Sequence, residues 1–289
     1  MNSSTKNERI LITGASGFTA RALISALRVM GATDLCLIDR IANQDVNIFA
    51  CDVADAGQIA EQISFFQPTK IYHLIGSFTN DYEIDYRANV LSTKNIFDAL
   101  IERKISARVL LIGSSAEYGD INSSDNPISE NQPLHPFSVY GLTKVFQTAL
   151  MNFYYQRYNL DIVMARTFNL YGEGISPRLF AGKVNEQIKK YQAGQLEKIT
   201  IDDLSARRDY ISIAEAVQYY QLIMDCGKSG ELYNVGSGHS ISGKELIEQI
   251  AQDMNVKLSE GALQETGDKI NVRDFYADIK KLLALESNS

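Results

Sequence analysis

Apolar residues are arranged along this chain in two alternating rhythms: short continuous runs, and longer stretches with apolar positions three and four apart. The first run, RILIT at 9–13, leads through glycines into ALISALRVM, whose spacing predicts a helix. The alternation recurs in DLCLI (34–38), VNIFA (46–50) before AGQIAEQISFF, KIYHLI (70–75) before NVLSTKNIFDALIERK, and ARVLLIG (107–113). A further helix is predicted through YGLTKVFQTALMNFYYQRY, followed by the strand DIVMAR (161–166). Apolar strands alternating with amphipathic helices predict an α/β fold, a doubly wound parallel sheet of at least six strands with both faces covered. Beyond Asn169 the rhythm loosens. GEGISPR reads as loop, KVNEQIKKYQ as helix, KITI as a short strand, SIAEAVQYYQLIMD as helix and ELYNV (231–235) as strand. GKELIEQIAQDM and DIKKLLAL read as terminal helices around a polar stretch at 259–269. The expected division is a main domain of residues 1–168, to which 206–235 return, and a smaller region of 169–205 and 236–289 closing over the carboxyl edge of the sheet.

Composition narrows the class. The 289 residues are 45% hydrophobic and 22% charged, which excludes disordered, collagenous and disulfide-scaffold chains. With 28 basic and 35 acidic side chains the net charge is −7, and no basic run is present to track a phosphate backbone, so nucleic acid is not an expected partner. No apolar run reaches the roughly 18 residues of a membrane span, and the polar start MNSSTKNER has no apolar signal core. A soluble, cytoplasmic protein with no membrane partner is expected. Cys36, Cys51 and Cys226 show no metal spacing and are expected to be reduced, buried and structural. His73, His135 and His239 likewise read as structural, so no metal site is expected. FYYQRY and QYYQL place tyrosines at helical spacing and read as packing.

Candidate chemistry begins directly after the first run, at Gly14-Ala15-Ser16-Gly17-Phe18-Thr19-Ala20. Glycine at 14 suits a tight turn, glycine at 17 lets helix amides approach a pyrophosphate, and Ala20 is small enough to stand in for a third glycine. By itself the run is equally a plain tight turn; its place between strand and helix, with Asp39 ending the next strand, points to a dinucleotide site. Asp39 would accept from an adenine-ribose diol, whereas Arg40 would pair with a 2′-phosphate, leaving NAD(H) and NADP(H) both open. Asp52, ending the third strand, is placed for the adenine edge or, equally, to cap the next helix.

Tyr140 and Lys144 lie four apart in a helical run and project from one face. An ammonium near a phenol favours the phenolate, which fits Tyr140 for proton transfer to or from an alcohol or carbonyl oxygen; the alternative is a surface pair. Ser114, at the carboxyl end of the VLLIG strand, can hold the same oxygen, or serve with Ser115 as an ordinary loop serine.

Taken together these features resemble the extended short-chain dehydrogenase/reductase family and its nucleotide-sugar enzymes. The resemblance spans nearly the whole chain. It is carried by TGASGF (13–18), HLIG (73–76), Asn89-Val90, SSAEYG (114–119), YGLTK (140–144), RTFNLYGEG (166–174), RRDYI (207–211) and YNVGSG (233–238). It implies an NAD(P)-binding Rossmann fold, with cofactor contacts from Gly14, Ser16, Gly17, Phe18, Thr19, Asp39, Arg40, Asp52, Val53, Leu74, Ile75, Gly76, Tyr140 and Lys144. Tyr140 would be the general acid/base, Lys144 would bind the nicotinamide ribose and tune it, and Ser114 with Ser115 would face the sugar. Asn169 would lie near the nicotinamide or the substrate diphosphate, or be a turn residue; Arg208 would pair with a nucleotide phosphate, or simply with Asp209. Ile75-Gly76 and Leu91-Ser92-Thr93 depart from the family pattern.

Within the family, 4,6-dehydratases carry a glutamate where this chain has Ala116, and Glu117, in an extended loop, would point the other way. The resemblance is nearest to reductases of GDP-4-keto-6-deoxy-D-mannose and of 6-deoxy-heptose. It implies NAD(P)H-dependent reduction of the 4-keto group of a nucleotide-activated, GDP-linked 6-deoxy sugar. An NAD-dependent 4-epimerase is the alternative, and a non-catalytic dinucleotide-binding protein is a third reading. A homodimer formed through a four-helix bundle is also implied, from helices around 90–104 and 140–157.

Overall fold

The continuous apolar runs become strands buried on both faces, as at every position of β1 (Ile10–Thr13), because helices cover the sheet on either side. In the computed structural model, which describes residues 8–267 and 274–287, β1 joins β2 (Leu35–Asp39), β3 (Ile48–Ala50), β4 (Lys70–His73), β5 (Arg108–Ser114) and β6 (Ile162–Thr167). Residues 1–7 of the polar start, and 268 and 269 of the polar stretch, lie outside the described residues. After four short strands, β7 (Asn169–Tyr171), β8 (Ile199–Ile201), β9 (Arg207–Arg208) and β10 (Tyr210–Ser212), the chain returns with β11 (Leu232–Val235) beside β6. The result is a seven-stranded parallel sheet in the order β11-β6-β5-β4-β1-β2-β3. The order turns back on itself between β1 and β4, and their carboxyl ends flank the crevice in which such sheets take ligands.

Side chains alternate between two cores. Ile10 and Ile12 face α1 (Phe18–Val29), α7 (Ile213–Cys226) and α9 (Lys280–Glu286), whereas Leu11 faces α2 (Ala56–Phe66), α4 (Ser92–Glu102) and α5 (Val139–Tyr158). The helix expected from Asn89 begins earlier, as α3 (Tyr82–Tyr86), and passes through one π-helical turn, Arg87–Leu91, before α4. The hydroxyls of Ser92 and Thr93 donate to the carbonyls of Ala88 and Asn89 there. VNIFA is strand only from Ile48, since Gln44–Val46 is a 3-10 turn capped by the Asn43 side chain. Cys36 and Cys51 are buried, but Cys226, at the end of α7, is half-exposed, which corrects the expectation for that residue.

The remaining strands, with β12 (Ile241–Ser242) and β13 (Leu263–Glu265), form the pairs β10-β7, β12-β9 and β13-β8. They pack with α6 (Phe180–Gln192) and α8 (Gly243–Asp253) around a separate core that includes Val184, Ile188, Leu246 and Ile250. Phe18, the first residue of α1, packs against that core and ties it to the glycine turn. Among the described residues no helix is long and apolar enough to cross a membrane.

Candidate active site

Gly14 follows β1 with φ +67°, a left-handed conformation that glycine adopts without strain. Ile75, leaving β4, lies against it, with its backbone nitrogen 3.2 Å from where a Cβ would stand. Gly17 caps α1 and donates to the Gly14 carbonyl at 2.9 Å; among the described residues no side chain caps the first amides of α1, and its first turn carries no acidic residue. Uncapped amides at the positive end of a 12-residue helix make a seat for a pyrophosphate, so these residues fit a dinucleotide. Thr19 lies half-buried in that turn, and Ala20 packs into the sheet.

Asp39 ends β2 at this turn. Its Oδ2 accepts from the amide and hydroxyl of Ser16 at 3.0 and 2.6 Å, and its Oδ1 from the amide of Arg40 at 2.7 Å. Asp52 does not cap α2; that role belongs to Asp55, which accepts from Gly57 and Gln58. Asp52 instead accepts from Ala54 and pairs with Arg87 at 2.7 Å. Val53 is buried and its carbonyl accepts from Asn95. The Leu74 amide donates to Thr13 Oγ1, and Gly76 passes over Asn89 and Lys144, whose Oδ1 and Nζ would stand 3.6 and 3.7 Å from a Cβ.

The proton-transfer residues meet because α5 closes onto the turn after β5. Ser138 caps α5 by accepting from Gly141, and at Gly141 a Cβ would stand 2.5 Å from the Ala116 carbonyl, so only glycine permits this approach. Tyr140 is thereby brought within hydrogen-bonding reach of the Ser114 hydroxyl. Burial pushes the half-buried phenol up to about 12; the Ser114 bond opposes this, while the charges of Glu117 and Asp85 add to it. The phenol therefore carries its proton at neutral pH. The expected lysine-stabilised phenolate is not the state found: Lys144 Nζ lies 6.0 Å from the Tyr140 ring centroid and donates to the Ile112 carbonyl and Gln147 Oε1 at 2.9 and 3.0 Å. Burial lowers Lys144 to about 8 against the charges of Glu117 and Asp85.

Glu117 points out of the site, though not because the loop is extended. Ser115–Glu117 is a 3-10 turn that folds the carboxylate inward, where it accepts from the Ser114 amide (2.8 Å), Thr148 Oγ1 (2.6 Å) and Arg166 Nη2 (2.8 Å). Glu117 and Arg166 are 0% and 1% exposed. Ser115 is buried beside Ser114. Across the crevice, Asn169 Nδ2 donates to the Asp209 carbonyl at 2.9 Å. Asp209 is not the partner of Arg208: its carboxylate accepts from Ser237, Gly238 and Ala277, and burial raises its pKa. The half-buried Arg208 side chain makes no hydrogen bond or ion pair among the described residues.

Sequence reasoning passed over the loop after β4. Asn80 Oδ1 accepts from the Tyr140 amide at 3.3 Å, and Phe78 meets the Tyr140 ring edge-on at 6.3 Å. Buried Asp85 pins the loop by accepting from Ser77, Thr79 and Asn80. The polar run SFTND directly after a strand, at the ligand edge, was the available signal. Among the described residues no cluster of three His, Cys, Asp or Glu side chains could hold a metal ion.

A model of the NAD dependent epimerase/dehydratase family matches residues 10–236. The chain belongs to that family. Its members are NAD(P)-dependent enzymes, reductases and epimerases among them, and this chain is an NAD(P)-binding enzyme of the same kind. A putative UDP-glucose 4-epimerase of Methanocaldococcus jannaschii is 26% identical over 96% of this chain and 92% of its own length. A GDP-6-deoxy-D-mannose reductase of Pseudomonas aeruginosa is 26% identical over 87% of this chain and 82% of its own. The solved structure of RMD from Pseudomonas aeruginosa complexed with NADPH superposes with a TM-score of 0.83 at 23% identity, covering 97% of this chain and 92% of that one.

Proposed function

We propose that this chain reduces the 4-keto group of a nucleotide-activated, GDP-linked 6-deoxy-4-keto sugar, with NADH or NADPH as the hydride source. The observation that carries the reading is the turn beside protonated Tyr140, which offers no free carboxylate: Ala116 has none, and Glu117 is locked to Arg166. Elimination of water from a sugar needs such a base, whereas reduction needs only a held carbonyl and a proton donor. Ser114 holds the carbonyl oxygen, Tyr140 delivers its proton there, and the Lys144 ammonium stabilises the phenolate left behind. The nicotinamide supplies the hydride when bound. Residues 1–168 with 206–235 take the dinucleotide, and 169–205 with 236–289 the nucleotide sugar, whose phosphates are held by Asn169 and, from the returning segment 206–235, by Arg208. The Pseudomonas aeruginosa reductase supports this choice of substrate.

The second reading is an NAD-dependent 4-epimerase, favoured by the Methanocaldococcus jannaschii relative, which matches more of the chain. Incubating the protein with GDP-4-keto-6-deoxymannose and excess NADH or NADPH, and following nicotinamide absorbance, separates the two. Stoichiometric oxidation is expected. No consumption, with NAD recovered from the denatured protein, would mean an epimerase; inertness with nucleotide binding intact would mean a pure binder. The reading places the protein in the cytoplasm as a homodimer, with the outward faces of α4 and α5, where Phe153 is 54% exposed, forming a four-helix contact. Light scattering tests that assembly.

A further inference from the structure

Behind Tyr140 lies a closed polar network: His73 on β4, Ser92 and Thr93 on α4, and Thr143, Lys144 and Gln147 on α5 are all buried. Its proton positions follow from its acceptors. The hydroxyls of Ser92 and Thr93 donate to the carbonyls of Ala88 and Asn89, so towards other neighbours they only accept. His73 therefore carries its proton on Nε2, 3.1 Å from both hydroxyl oxygens, while Nδ1 accepts from Thr13 Oγ1 at 2.8 Å. Burial, with the charge of Lys144, holds this ring neutral down to about 3. The same logic fixes the amide. The Gln147 atom 2.8 Å from Thr93 Oγ1 must be the nitrogen, which turns Oε1 onto Lys144 Nζ at 3.0 Å.

We propose that Gln147 is a positioning residue, whose carbonyl oxygen, oriented through Thr93 and His73, fixes the Lys144 ammonium without cancelling its charge. An ammonium has three protons; the Ile112 carbonyl takes one, Gln147 takes a second, and the third is left for the crevice. The charged or titratable groups facing it are Tyr140 on its own helix, neutral His73 on β4, Glu117 after β5 and Asp85 on α3. Glu117 is bound to Arg166, and Asp85 to the loop after β4. Gln147 is thus the only side chain that hydrogen-bonds the ammonium among the described residues. A glutamate at this position would bind more strongly but neutralise the charge that stabilises the Tyr140 phenolate; an amide supplies the acceptor alone.

The inference rests on the reading of Lys144 as the partner of Tyr140, so its test includes a readout independent of turnover. A buried ammonium held below the ordinary lysine value loses its proton first in the folded state, so stability rises as pH climbs from the folded value towards the unfolded one. Urea unfolding of the whole protein across roughly pH 7 to 11 reads that rise. Other groups that titrate in the window cancel between variants. In Gln147→Leu the rise should begin about one pH unit lower, for the loss of one hydrogen bond to a charge, and in the isosteric Gln147→Glu about one unit or more higher. The alkaline limb of kcat for keto-sugar reduction should move in the same directions, with KM for the sugar within about twofold. An onset identical in all three proteins would overturn the inference whatever the activity. An onset that moves without the alkaline limb leaves Gln147 holding Lys144, and removes Lys144 from the chemistry of Tyr140 instead. Should Gln147→Leu fail to fold, Gln147→Glu, which keeps the shape, still decides.

Discussion

Glu117 and Arg166 form a buried ion pair that is incompletely satisfied, since Arg166 Nε and Nη1 find no hydrogen-bond partner among the described residues. Arg166 also lies over the Tyr118 ring, 4.7 Å from its centroid. Such a pair adds little net stability, yet losing one partner strands the other charge. Glu117→Ala should therefore destabilise the protein by about 3–5 kcal/mol in urea unfolding, and Glu117→Gln, which can still accept from the Ser114 amide, by clearly less. Equal losses would mean that the charge, which both variants remove, carries the whole effect and the acceptor oxygen none. Tyr140 is the complementary case, a residue whose removal should spare the fold. Tyr140→Phe is expected to lower kcat by about 10²–10⁴-fold while leaving the NAD(P)H dissociation constant nearly unchanged, and full activity in that variant would refute the proton-donor assignment.

At the scale of elements, the approach of α5 to the turn Ser115–Glu117 depends on Gly141. Gly141→Ala puts a methyl group against the Ala116 carbonyl, and a displacement of about 1 Å at Tyr140 is enough to cost roughly 100-fold in kcat. Far-ultraviolet circular dichroism should stay native, because helix propensity favours the change. The same elements show what the sequence makes legible. Runs of uniform period, such as those of β1, β5 and α5, declare themselves, and the glycine turn, Asp39 and Ser114 are found because each ends such a run. The π turn at Arg87–Leu91 shifts the helical phase, which hid α3 and left residues 76–88 without an assignment. Ser114-Ser115-Ala116-Glu117 is itself an S-x-x-E capping box, and reading it as one would have turned Glu117 inward. The contacts of Gln147 with Thr93, and of Thr93 with His73, join residues 54 and 20 positions apart, and no local pattern announces them.

For the molecule as a whole, the buried network sets a limit on acid tolerance. His73 is held neutral down to about 3, whereas an unfolded histidine takes up a proton near 6.5. The unfolded state binds the extra proton between those values, so stability falls as pH drops through that window, by several kcal/mol in total. Asp85 acts in the same direction: burial opposes its charge, but its bonds from Ser77, Thr79 and Asn80 hold its carboxyl below the usual range. Urea midpoints measured stepwise from neutral pH to about pH 4 should fall, and the fall should be shallower in His73→Asn. A midpoint independent of pH would show that the ring titrates freely.

The bond between Ser16 and Asp39 bears on how long a coenzyme stays. In the proposed seat, a ribose diol reaching Asp39 meets a carboxylate already satisfied on Oδ2 by two donors from Ser16 and on Oδ1 by the Arg40 amide. One lone pair, on Oδ1, stays open, but a second bond from the diol must displace a Ser16 donor, so the adenosine end gains less than a free carboxylate would give and the oxidised coenzyme is expected to depart quickly. Ser16→Ala frees one lone pair of Asp39 and should slow coenzyme release in stopped-flow displacement, unless the hydroxyl itself grips the phosphates. Fast exchange suits a catalyst that consumes a fresh coenzyme with every sugar, and works against one that keeps a single molecule through many cycles.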